Sequence, residues 1–145
     1  MERGIILSLW LNSLLYTNLV LAILVFFYLH RRRKLIGFHL GMNIAMVVGG
    51  GLAILTGVIL ITLYPLHFME VTVLSVLTGI LAGSIFGALF DYQTLLTGYI
   101  NGLMMGIMAP MVGAAASESM VFIVVLQLFI FIIFIILMVF AKSTT

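Results

Sequence analysis

Cysteine is absent from the 145-residue chain. That excludes a disulfide framework, thiolate metal sites, iron–sulfur ligation and thiol redox catalysis. Charge is scarce too: Asp, Glu, Lys and Arg make up 7% of the residues, against about 25% in soluble globular domains. Proline occurs only at Pro65 and Pro110, so few places interrupt a helix. Catalytic patterns are also missing. No Ser or Thr has a His and an acid at a telling spacing, no H-E-x-x-H occurs, and no glycine-rich loop follows a strand. His30, His39 and Asp91 are the sole acid–base candidates near one expected membrane surface, and the chain reads as a non-enzyme. Its net charge of +2 is no nucleic-acid signal, because four of the six basic residues form one cluster, Arg31-Arg32-Arg33-Lys34, between two apolar runs.

What is present is hydrophobicity, at 65% of the residues. Several runs exceed the roughly 18–20 apolar residues that cross a bilayer core. The expected fold is an all-α integral membrane protein, a polytopic bundle of about five transmembrane helices forming a single domain over 1–145. The spans are read at about 5–29, 35–64, 71–89, 95–113 and 120–140. The first apolar run continues too far to be a cleaved leader and is read as a retained span. Arg31 to Lys34 anchor the cytoplasmic side and attract anionic lipid headgroups, which puts the N-terminus outside and Lys142 inside. A multi-pass protein of a cell membrane is expected, in the bacterial cytoplasmic membrane. Its partners would be the bilayer and other membrane subunits or further copies of itself, with no nucleic acid.

Several features mark helix faces. Ser8, Asn12 and Tyr16 recur at i, i+4, i+8 and form a polar stripe expected to face other helices. Gly49-Gly50-Gly51 suits a close approach or a bend. Gly79, Gly83 and Gly87 give two overlapping GxxxG patterns, and Gly102 and Gly106 repeat the spacing, so all eight glycines are read as helix-packing positions. His67 and Glu70 share a short outer turn. Asp91 is read as an N-cap of the fourth span or, alternatively, as a coordinating group. Pro110 is expected to kink that span near Gly106. The break from Ala114 to Ser119, including Glu118, is read as a turn, and Gln127 is the one strongly polar group in the last span.

Methionine suggests a chemistry. His39, Met42 and Met46 lie at i, i+3, i+7, and Asn101, Met104 and Met108 repeat that order 62 positions later, with Met111 one turn on. If the offset records a duplicated two-helix hairpin, spans two and four run in parallel and their thioethers meet at one depth. Thioether sulfur is a soft ligand that favours Cu(I), and imidazole can complete such a site. The candidate metal ligands are therefore His39, Met42, Met46, Met104, Met108, Met111 and Asp91, with Asn43 beside them. Locally, MxxxM beside GxxxG resembles the intramembrane pattern of eukaryotic copper transporters. The resemblance covers only these residues, and the chain differs in span number and in lacking a methionine-rich outer segment. Two functions follow: a small transporter or binder of a soft metal such as Cu(I), or a structural or accessory subunit packing through glycine faces with no ligand of its own. In the second, the methionines are plain apolar filler.

Overall fold

The computed structural model describes residues 2–116 and 119–143. These residues form five helices, α1 (Glu2–Arg32), α2 (Phe38–Leu63), α3 (Phe68–Gly87), α4 (Tyr92–Ala115) and α5 (Met120–Ser143), with a 3-10 turn at Arg33–Leu35 after α1. All five are long and apolar enough to cross a membrane, and the chain is a multi-pass membrane protein. No strand occurs among the described residues. Ser117, Glu118 and the last two threonines lie outside them, so the expected turn is seen only at its edges, with Ala114 and Ala115 still helical.

Local chemistry sets the helix ends. α1 runs into the basic cluster, with Arg31 and Arg32 in its last turn and Arg33 and Lys34 in the 3-10 turn that follows, and Arg32 lies 5.2 Å from the Tyr28 ring centre. The extended backbone at Gly37 then restarts the chain as α2. Pro65 cannot continue a helix, and α2 stops at Leu63 just before it. Asp91, in extended conformation, caps α4 by accepting from the Gln93 N–H at 3.4 Å. Pro110 is buried, and α4 stays helical through it to Ala115.

Helices α2, α3 and α4 pack through missing side chains. Gly49 lies against Gly83, Ala53 against Gly79 and Gly57 against Ser75, so α2 and α3 run antiparallel. Likewise Gly83 faces Gly98, Gly79 faces Gly102 and Val76 faces Gly106, so α3 and α4 are antiparallel too. The three helices thus meet in layers about one turn apart. A Cβ on Gly49 would stand 2.8 Å from Gly83 Cα, and one on Gly79 2.5 Å from the Gly102 carbonyl oxygen. A Cβ on Gly83 would fall on the Gly98 carbonyl. At such separations the backbones themselves make the dispersion and Cα–H···O contacts that hold membrane helices together.

Helices α1 and α5 attach differently. They pack on the opposite side of α2 through large side chains: Leu11 with Val58, Ile59 and Ile123, then Val25 and Leu29 with Val48, Leu52, Phe134 and Leu137. Asn18 and Gln127, both buried, exchange two hydrogen bonds of 3.0 and 2.7 Å between α1 and α5. Further along, the Tyr28 hydroxyl donates to the Met138 carbonyl at 3.4 Å, so these two helices run parallel. Helix α2 is therefore buried on most sides, between α3 and α4 and the α1/α5 pair, and α1 also touches α3 where the Phe26 and Phe86 rings meet edge to face at 5.5 Å.

Candidate functional site

The α2/α4 seam is the place to look for a sulfur site. Ala45 lies beside Gly98 and Gly57 beside Ala109, so the two helices are parallel. Their register is 53 and 52 residues rather than the 62 of the sequence repeat. Met104 and Met108 therefore sit roughly nine residues, or ~14 Å, further along the bundle than Met42 and Met46. They also point the wrong way. Met104 and Met108 each stand two residues, about 200° of helix, from the buried Gly102 and Gly106. Met104, Met108 and Met111 are 54%, 51% and 60% exposed, on the outer side of α4. Matched depth fails because the close contacts set a register near 53 rather than 62, and facing thioethers fail because glycine takes the inner face and leaves large side chains the outer one.

The remaining predicted ligands are scattered. Met42 and Met46 are half-buried on α2, and His39 and Asn43 are exposed near its start. Asp91 is exposed at the α3–α4 turn and occupied in capping. His67 and Glu70 pair at 3.5 Å on the exposed α2–α3 turn, at the other end of the bundle. Among the described residues, no three His, Asp or Glu side chains converge.

Asn101 has a structural part that its alignment with His39 hides. Its amide nitrogen donates to the Met46 carbonyl at 2.7 Å, fastening α4 to α2. Gly50 makes this possible, since a Cβ there would stand 2.5 Å from that nitrogen. The α4 methionine that does reach α2 is Met105, packed against Gly50 and bordering a shallow groove with Met46, Gly51 and Ile130 of α5. Gly51 itself faces Ile130, and Gly87 faces Thr94 and Leu95. Sequence reasoning missed Gly57, Gly98, Gly113 and Met105, although continuing the four-residue period back from Gly102 finds Gly98.

A second locus lies between α1 and α3. A cleft of about 240 Å³ is lined by Asn12, Tyr16, Leu19, Leu52, Thr56 and Thr78. Past Leu19 and Thr78 it continues as an apolar groove of about 520 Å³ toward Phe26, Ala82 and Phe86. The polar stripe of α1 borders this opening: Asn12 and Tyr16 are exposed. Most hydroxyls of the spans bond back to their own helix, as Ser8, Ser13, Thr17 and Thr78 do. Among the described residues Asn12 and Tyr16 have no hydrogen-bond partner. Leu11 next to Asn12 packs on Val58 and Ile59, about one turn inside the end of α2 at Leu63, so Asn12 stands about one turn inside that end of the bundle. Compared with protein families, with characterised proteins and with solved structures, the chain matches none.

Proposed function

We propose that the chain is a structural or accessory subunit of a membrane assembly, a rigid three-helix core that offers the α1/α3 cleft to another transmembrane helix. The observation that carries the reading is the unpartnered Asn12–Tyr16 stripe inside a hydrophobic span. Polar groups left in hydrocarbon are costly, and a neighbouring helix bearing an amide or hydroxyl removes the cost. The dispersed methionines support the same reading, since a soft-metal carrier needs its sulfurs within one coordination sphere. The basic end, with Arg31 to Lys34 and Lys142, is taken as cytoplasmic, and the N-terminus as external.

The test is the size of the protein extracted with its surrounding bilayer. An assembly larger than one chain is expected, and Ala82→Trp, which fills the apolar groove that continues the cleft, is expected to release single chains that remain folded. A stable single chain in the parent sinks the reading. In parallel, Cu(I) titration under reducing conditions is expected to give no stoichiometric binding. Binding that disappears when Met42, Met46, Met104 and Met108 become Leu would favour the soft-metal carrier instead.

A further inference from the structure

We infer that the helix in the α1/α3 cleft is α1 of a second copy of this chain, in a parallel two-fold pair that sets Asn12 against Asn12. This rests on the cleft being a helix-docking face and names its occupant.

The outer stripe of α1 has the form of a self-pairing seam. Ile5, Leu9, Asn12, Tyr16, Leu19 and Ile23 follow one another at steps of four, three, four, three and four residues, the spacing that keeps a helix side facing a parallel partner. The five large residues among them are 55%, 64%, 70%, 52% and 53% exposed. The other side of α1 is already engaged, with Leu11, Asn18, Ala22, Val25 and Leu29 buried within the chain. The stripe is therefore a second, unused face, and it borders the groove along α3.

The polar complement identifies the partner. A carboxamide carries both donor and acceptor, so another carboxamide satisfies it fully. This fold already uses that pairing between parallel helices, where Asn18 and Gln127 exchange two hydrogen bonds. Asn12 has no such mate among the described residues: Thr56 of α2 and Thr78 of α3 line the same cleft, and neither hydrogen-bonds to it. In a two-fold pair, a residue next to the axis meets its own copy, so one Asn suffices on each side. An axis along the membrane normal also keeps both basic ends on one surface. The outer face of α5 makes a useful contrast: Val121, Val125, Leu128, Phe129 and Ile132 present no polar group, and acyl chains cover them without loss.

The absence of cysteine supplies the experiment. Single cysteines replace Leu9, Leu19 or Ile23 on the seam, and Ile6 or Leu24 on the neighbouring exposed face, in full-length protein in phosphatidylcholine vesicles. Oxidation is expected to join chains at the three seam positions and not at the two others. Energy transfer between labelled copies then reads the association constant. Asn12→Leu is expected to lower it by about five- to thirtyfold, the size of one or two interhelical polar bonds, while Asn12→Gln retains it. Equal cross-linking at all five positions, or an unchanged constant in Asn12→Leu, overturns the inference. If the protein stays in a larger assembly without self-cross-links, the copy is the wrong occupant and the docking face stands. If it is a single chain throughout, both fall.

Discussion

The two halves of this bundle are built on opposite rules. In α2–α4 the contacts are backbone on backbone, and glycine is required because a Cβ has no room at Gly83, Gly98 or Gly102. In the α1–α5 half the contacts are ordinary large side chains, fixed in register by the Asn18–Gln127 amide pair and the Tyr28–Met138 hydrogen bond. The first arrangement is specific and brittle, since a single methyl group meets main-chain atoms that cannot turn aside. The second is tolerant, since leucine, isoleucine and phenylalanine can repack around a change.

The strongest challenge to that contrast is Gly83→Ala, which places a methyl on the Gly98 carbonyl. A loss of about 3 kcal/mol or more is expected on overpacking grounds, read by denaturant unfolding in detergent. Gly51→Ala is its control: the added methyl meets only the tip of Ile130 at 3.1 Å, and the expected cost stays under about 1 kcal/mol. An equal response to the two substitutions would erase the distinction between the halves.

Next in size is Gln127→Leu, which strands the Asn18 amide in an apolar interior and is expected to cost about 1–2 kcal/mol. The double change of Asn18 and Gln127 to Leu should cost less than the two single changes combined, and hydrogen exchange should show α5 loosening while α2–α4 stay protected. Asn101→Ala removes one α4-to-α2 hydrogen bond and should cost about 0.6 kcal/mol, the average for such bonds in membranes. Smallest of all, changing Met104, Met108 and Met111 together to Leu should alter stability by under about 0.5 kcal/mol, because their side chains are exposed on the outside of the bundle.

Much of the architecture was legible along the chain. Five helices follow from five long apolar runs, and Asp91 reads as a cap from its place before a helix. The two methionine stripes do not face each other, for a definite reason. Met104 and Met108 share a face by period, but period alone does not say which face turns inward. In soluble proteins the large apolar side points in; between membrane helices, where lipid is as apolar as methionine, the small side does. The same rule, applied to Gly98, Gly102 and Gly106, would have turned the methionines outward.

Composition and run length by themselves determined that this chain lives in a bilayer as a helical bundle, because unpaired backbone groups are not tolerated there and helices satisfy their own. The tertiary structure alone decided the α2/α4 register near 53, Asn18 rather than Asn12 as the amide buried inside the chain, and the cleft beside α3. Those choices depend on how close two backbones can come, which is a property of pairs of helices and is written in neither sequence run taken singly.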